Sequence, residues 1–385
     1  MHMTSRFFQV LALTSLSISA MAEYDQDLYF DDDSFLSDDL DLIAQVDASD
    51  DPQHDQKSDV QSGHFVSARP KLSKGAGLIL SGDFLYWQAE EGGLSYGLQS
   101  ENHSILPLLQ QPTPFQGVDG KVSRIQPEYE PGYRLSLAYQ LPYDQWDISL
   151  SWARYQSSSH DHISQKANQV VFPYWLSRNF APLAQNAKAH WDLNYNTLDF
   201  DLGRMFYIGR CFSIKPTLGF KAAWIEQTLI VLYGNVVFSN NNAGPDVRSK
   251  NRSTFQGYGV DLGFDGNWKL GAGFELFGSC NAALLLGNFD LALFEKNIGL
   301  GPRSKLTNNI QEVVPELGFS AGLCWERSFF SDRLFLNIHV SWEEQVWFNQ
   351  NQLSRFVDAF MEGLIINHLG DLTLSGWTIG AAVGF

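Results

Sequence analysis

Trp377-Thr-Ile-Gly-Ala-Ala-Val-Gly-Phe385 is the stretch that decides the fold. Counting back from Phe385, an apolar row runs through Val383, Ala381, Ile379 and Trp377, with Gly384, Ala382, Gly380 and Thr378 between them. Side chains alternate across a strand, so one face here is lipid-like and the other is small or mildly polar. A soluble domain seldom ends on such a strand, because it leaves an unpaired edge. A closed membrane barrel does, because its last strand pairs with its first.

The same rhythm recurs upstream. Tyr133, Leu135, Leu137 and Tyr139 alternate with Arg134, Ser136, Ala138 and Gln140. Trp146, Ile148, Leu150 and Trp152 alternate with Asp147, Ser149, Ser151 and Ala153. Tyr258, Val260, Leu262 and Phe264 alternate with Gly259, Asp261, Gly263 and Asp265. Leu334, Leu336, Ile338, Val340 and Trp342 alternate with residues that include Asn337, His339, Ser341 and Glu343. Each row has about the ~9–11-residue reach that a tilted spanning strand needs, and several end on Trp or Tyr, as interfacial girdles require. The pattern predicts an all-β, transmembrane, antiparallel outer-membrane β-barrel of ten strands, at 78–90, 131–141, 145–156, 188–206, 211–226, 255–268, 272–288, 310–326, 332–347 and 371–385. Connections alternate between short (142–144, 207–210, 269–271, 327–331) and long (91–130, 157–187, 227–254, 289–309, 348–370). Short turns are periplasmic in such barrels, and an even strand number puts both termini there.

Two strands break phase. Trp191, Leu193 and Tyr195 are odd-numbered, whereas Leu198, Phe200 and Leu202 are even-numbered; a bulge near Asn196 reconciles them. Leu372 and Leu374 likewise disagree with Trp377, and outer strand ends that rise above the lipid also account for such breaks.

The start of the chain reads as a signal peptide over residues 1–22: Arg6, an apolar Phe7–Ile18 core, and Ala20-Met21-Ala22 as a cleavage site. No later stretch is apolar for long enough to be a membrane helix. The formal charge of -17 is unevenly spread. Residues 23–60 contain thirteen Asp, Glu23 and Lys57, a local balance of -13, and 61–385 carry only -5. Residues 23–76 are therefore expected to be an acidic, disordered periplasmic segment, either a solvated tail or a tether for basic partners, with the barrel at 77–385. Without a basic patch, nucleic acid is excluded as a partner.

The expected lumen residues are Arg134, Asp147, Asp199, Asp201, Lys215, Lys221, Asp261, Asp265, Glu275, Glu316, His339 and Glu343, with Asp83 and Glu326 on the same faces. A charge on the lipid face near the midplane costs about 2–4 kcal/mol, so their placement opposite the apolar rows predicts a polar interior. Two arrangements stand: a water-filled channel whose acid excess favours cations, and a narrow interior closed by pairing of Arg134, Lys215 and Lys221 with carboxylates. Leu353, Phe356, Val357, Phe360, Met361 and Leu364 recur at helical spacing, predicting a helix over 351–365 that packs on the rim or acts as a lid. His160-Asp161-His162 is the one local acid/base cluster, and a polar loop tip explains it as well as catalysis does. Gly93-Leu-Ser95-Tyr-Gly97 spells GxSxG but lacks the helix that a nucleophile elbow needs. Neither HExxH nor a P-loop occurs, and no catalytic, cofactor or metal site is expected. Of Cys211, Cys280 and Cys324, Cys211 at a predicted periplasmic turn is the candidate for an intermolecular disulfide, with a free thiol as the alternative.

Asp83-Phe-Leu-Tyr-Trp-Gln-Ala-Glu-Glu-Gly-Gly-Leu-Ser-Tyr96, Pro131–Tyr139 with Asp144–Asp147, Asn194–Asp199 with Leu202-Gly-Arg204, and the Phe385 end resemble the Legionella-type pore-forming major outer-membrane protein family. The resemblance implies an outer-membrane porin, a passive diffusion channel for small hydrophilic solutes or ions, with no catalytic residues. It also implies that Trp377, Ile379, Val383 and Phe385 form the assembly signal read by the barrel-assembly machinery, and that the lipid of the outer membrane is a partner. A structural or adhesive surface protein with a closed barrel is the alternative.

Overall fold

In the computed structural model the described residues are 77–100, 120–141, 144–164, 170–176, 183–236, 244–330, 334–356, 365–368 and 370–385. The expected signal peptide and acidic segment lie outside them.

Ten strands form the wall: β1 Gly77–Glu91, β2 Tyr129–Gln140, β3 Trp146–Ile163, β4 Asn186–Arg204, β5 Phe212–Gly234, β6 Val247–Gly271, β7 Phe274–Asn297, β8 Gly301–Phe329, β9 Leu334–Trp347 and β10 Leu372–Gly384. Each pairs antiparallel with its sequence neighbours. β10 pairs back onto β1 with Ile79 opposite Gly384, and Leu78 and Phe385 exchange backbone hydrogen bonds at 2.9 and 3.2 Å. The sheet therefore has no free edge, the condition for crossing hydrocarbon with strands. Trp377, Ile379 and Phe385 stand exposed on the outward face of β10, and Val383 lies in the same row.

The outward face carries an apolar band bounded by aromatics. Toward the long loops the bounding residues include Tyr86, Tyr133, Trp152, Trp224, Tyr258, Trp342 and Trp377; toward the short turns they include Tyr139, Trp146, Trp268 and Phe385. Neighbouring rings touch edge to face, as Trp342 and Trp377 do at 5.3 Å between centroids. Such girdles mark the two faces of a bilayer.

Several strands run well past this band. β5 has 23 residues, β6 25, β7 24 and β8 29, where about 9–11 span a membrane. Residues 289–309, expected as a long loop, are the tops of β7 and β8 joined by a tight turn at Ile298–Leu300. His160-Asp161-His162, also expected in a loop, belongs to β3. A strand can be continued above the lipid wherever its partner continues too, because the ladder hydrogen bonds need no lipid.

The bulge expected near Asn196 does not form: β4 pairs with β3 and β5 through 186–203 without a register shift. All odd residues from Ala187 to Gly203 face inward. What changes at Asn196 is the medium outside, from water to lipid. The same holds in β10, where Leu372 and Leu374 face inward and are buried while Trp377 faces out.

The expected 351–365 helix is also corrected. Leu353–Phe356 pairs with Ile365–His368 as a two-stranded hairpin. Asn351 holds the entry extended: its backbone N–H donates to Gly370 O at 2.9 Å, its amide donates to Gly92 O at 2.6 Å, and its side-chain oxygen accepts from Leu353 N at 3.0 Å. Val357, Phe360, Met361 and Leu364 lie outside the described residues.

Candidate functional site: a charged chamber under an aromatic septum

Within the band, the inward face is polar because the outward face must meet hydrocarbon and a small barrel has room for charged side chains only inside. The chamber has a volume of about 390 Å³. Inward glycines make some of that room: a Cβ at Gly380 would collide with Asp83 and His339, and one at Gly318 with Asn281.

Three ion clusters sit in or beside the chamber. Lys221 Nζ lies 2.8 Å from Glu316 Oε2, 3.5 Å from Asp199 and 3.9 Å from Asp261, and Asn281 donates to Glu316 at 3.1 and 3.3 Å. Arg134 donates to both Glu343 oxygens at 3.0 and 2.7 Å and stands 3.6 Å from Asp83, which His339 Nε2 approaches at 3.3 Å. Lys215 bridges Asp147 at 3.6 Å and Asp265 at 3.3 Å. Asp201 lines the chamber beside them. Glu275 is apart, sharing Lys269 with Glu326 nearer the short turns, at 3.0 and 2.8 Å. Around the chamber, the carboxylates are Asp83, Asp147, Asp199, Asp201, Asp261, Asp265, Glu316 and Glu343, against the permanent cations Arg134, Lys215 and Lys221.

Toward the short turns, side-chain exposure rises from 0% at Glu316 and 9% at Asp261 to 36% at Asp265, then falls to 13% at Lys269 and 8% at Glu275, where a second charged cluster follows. In the other direction the chamber ends on aromatic rings. Arg134 packs under Trp87, 5.6 Å from the ring centroid, and the Tyr195 hydroxyl donates to Gln345 on the chamber wall at 2.8 Å. Above them Trp87, Tyr155, Trp191, Tyr195, Phe255, Phe289 and Trp347 are all essentially buried and belong to one apolar cluster fed by every wall strand except β2. Phe255 and Phe289 meet at 4.7 Å between centroids, Tyr195 and Trp347 at 5.9 Å. The Trp87 indole donates to Thr378 and the Tyr155 hydroxyl to Trp87 O, so the rings are held in orientation as well as by packing.

A three-stranded sheet of Ser95–Ser100, Gly120–Arg124 and Val170–Pro173 adds to the septum from the loop side. Its Tyr96 is buried, donates to Asp161 at 3.0 Å and accepts the Tyr233 hydroxyl on its carbonyl at 2.5 Å. His160 and His162 point out from β3 while Asp161 points in, so the three do not converge. Ser95 begins a strand rather than preceding a helix. Among the described residues no group of three His, Cys, Asp or Glu side chains has a metal-binding arrangement. Cys211 is partly exposed, Cys280 faces outward, Cys324 is buried inside, and none of the three is bonded to another.

Two carboxyls are almost wholly buried beyond the lipid band, Glu295, which Arg303 approaches at 3.9 Å, and Glu91. Glu91 is fully buried, with the buried Gln227 amide beside its carboxyl. Burial pushes the Glu91 carboxyl up to about 8, with the Gln227 amide and the Arg124 charge offsetting part of the rise.

The sequence profile described as Legionella pneumophila major outer membrane protein precursor matches residues 73–385. A search of curated proteins finds no match. Among solved structures, the Escherichia coli outer membrane protease OmpT aligns with 80% of this chain and 96% of its own at 10% identity and a TM-score of 0.39. The Pseudomonas putida toluene transporter TodX aligns with 81% and 89% at 11% identity and a TM-score of 0.30. The translocator domain of the Neisseria meningitidis autotransporter NalP aligns with 80% and 88% at 12% identity and a TM-score of 0.27.

Proposed function

We propose that this chain, which belongs to the Legionella pneumophila major outer membrane protein family, is a diffusion channel for small hydrophilic solutes or ions, held here in its closed form. The protein is a Gram-negative outer-membrane β-barrel. In the proposal the mature chain starts at Glu23, the short turns face the periplasm and the long loops face outward. The acidic chamber is the observation that carries the channel reading. Carboxylates outnumber permanent cations inside the band, and Asp265 on the short-turn side of the chamber is partly exposed. A barrel needed only as a wall gains nothing from unpaired buried acid, which costs desolvation. Water and mobile cations offset that cost, so the chamber is suited to a cation-favouring vestibule.

The septum sets the demand on opening. Its rings block the path between chamber and loops, so passage requires them and the 95–100/120–124/170–173 sheet to move. The septum is also what favours the second reading, a closed-barrel surface protein whose outer tier presents the loops.

Planar-bilayer conductance separates the two. Chain refolded from residue 23 should show rare, discrete openings with cation preference. The double variant Trp191→Gly with Trp347→Gly should open at least about tenfold more often, and Asp261→Asn with Glu316→Gln should reduce the cation preference. If the folded, heat-modifiable septum variant stays silent, the channel reading fails and the surface-protein reading stands.

A further inference from the structure

Above the lipid band, the outward faces of β4 to β8 sort their charges by height. The strand register gives successive rows. The row beside Trp224 is neutral: Asn196, Gln256, Asn288 and Gln311. The next contains Glu226 and Asp290. Arg252 follows, paired with Glu226 at 2.6 Å, with Asp192 in the same row. The next two rows hold His190, which meets Asp192 of the row below at 3.1 Å, Lys250 and Lys305, then Lys188, Arg248 and Lys296, with Ile230, Leu232 and Phe294 among them and no carboxylate in either row; Asp246 follows two residues beyond Arg248. Among the described residues these five lysines and arginines have no ion-pair partner, and all five are exposed. Below them a groove of about 630 Å³ is lined by Arg252, Thr254, Asp290, Thr307 and Asn309.

We propose that this surface docks the phosphate- and carboxylate-bearing core oligosaccharide of the outer-leaflet glycolipid. Charge and height both favour that occupant. Arg248 is eight residues above Gln256, roughly 27 Å of strand at ~3.4 Å each and about 20 Å along the membrane normal at a tilt near 40°. Phospholipid headgroups end only about 5–8 Å beyond the hydrocarbon, too low to reach the cationic rows. An anionic sugar chain rising past the headgroups does reach them. The lysines and arginines meet its phosphates and carboxylates, and the groove below offers hydroxyl, amide and carboxylate groups to sugar hydroxyls. The apolar side chains between the cations keep their heads apart and give sugar ring faces something to lie on.

The proposal rests on the long loops facing outward. It does not rest on the channel reading.

The test is titration of the refolded full chain, in detergent, with phosphorylated core oligosaccharide released from lipopolysaccharide. Binding should weaken at least about tenfold in Arg248→Gln/Lys250→Gln/Lys296→Gln and should fall as salt rises. Arg327→Gln, at the opposite end of the barrel, should change nothing. The exposed positions leave the fold intact, which an unchanged heat-modifiable gel shift verifies. Lys250→Glu alone should weaken binding further than Lys250→Gln. Unchanged affinity in the triple variant overturns the proposal. So does equal binding of dephosphorylated oligosaccharide, or preference for phosphatidylglycerol vesicles over the oligosaccharide. An epitope inserted at Ile298–Leu300 should be reached by antibody on intact cells. If it is hidden while the oligosaccharide still binds the pure protein, the orientation is wrong and docking in the cell falls with it.

Discussion

The barrel is two barrels stacked end to end, built by opposite rules from the same strands. In the lipid band, β4 shows Leu198, Phe200 and Leu202 to the outside and Thr197, Asp199 and Asp201 to the inside. A few residues toward the loops it shows Lys188, His190, Asp192 and Asn194 outside and Trp191, Leu193 and Tyr195 inside. β6 makes the same exchange between Phe255 and Asp261, and β5 between Lys221 and Ile225. Register and period are unchanged across the boundary; only the assignment of apolar residues to faces inverts. Alternation is thus a statement about which side is wet, and a strand that leaves a membrane reverses its pattern without any bulge. The lower tier gets its outward stability from lipid and tolerates a polar interior. The upper tier stands in water and needs its own packed core, and that core is what closes the lumen.

The two tiers should fail differently. The largest effect is expected in the upper core: Trp191→Ala should cost about 3–5 kcal/mol, the range for emptying a buried aromatic site. It should lower the midpoint of the heat-modifiable gel shift and raise hydrogen exchange in the loop-side halves of β3 to β5 first. A uniform loss of protection down to the short turns would refute two separately stabilised tiers.

In the chamber the damage is electrostatic. Lys221→Met leaves Glu316, Asp199 and Asp261 without their shared cation, at a cost of about 2–4 kcal/mol where the group is nearly buried. Lys221→Arg should recover much of it in urea unfolding, because charge rather than packing was lost. The outward faces provide a matched pair. Phe220→Arg faces hydrocarbon and should cost about 2–4 kcal/mol in bilayer refolding. Thr228→Arg lies on the same face eight residues higher, in water, and should stay within about 0.5 kcal/mol. Equal costs at the two positions would mean the band boundary is misplaced.

The smallest effect expected is the pH response of Glu91. Its folded carboxyl titrates near 8 against an ordinary value of 4.5, so the folded chain holds the proton more tightly. Its contribution to stability is complete below about 4.5 and is lost as pH rises through 8. The shift sets a ceiling of roughly 5 kcal/mol; relaxation of the upper tier should cut this to on the order of 1–3 kcal/mol. Thermal unfolding of the wild type should therefore weaken from pH 5 to pH 9 more than that of Glu91→Gln. Parallel curves for the two proteins would remove Glu91 as the source.

How much could be read from the chain alone follows the same division. The ten strands, their antiparallel closure through Phe385 and the lipid face were legible because each rests on period two within one strand, and lipid makes that period strict. The candidate inward charges were named for the same reason, being opposite the apolar rows. Their sorting around Lys221, Arg134 and Lys215 was not, because it joins residues on strands far apart in sequence. The septum left a signal: the phase breaks at Trp191 and Leu372. A bulge is the local way to reconcile such a break, and nothing within one strand separates a bulge from a change of medium. The 351–365 segment misled because apolar residues three and four apart fit a helix locally, whereas Asn351 binds Gly92 and Gly370 from distant parts of the chain.

By itself, then, the sequence determined that strands alternate, how many there are and that they close, since these follow from side-chain polarity along a single strand. Only the tertiary structure decided where water ends and lipid begins along each strand, which charges share the chamber, and that aromatic rings from strands far apart in the chain meet across the lumen. Those are properties of ten strands side by side, and no one strand contains them.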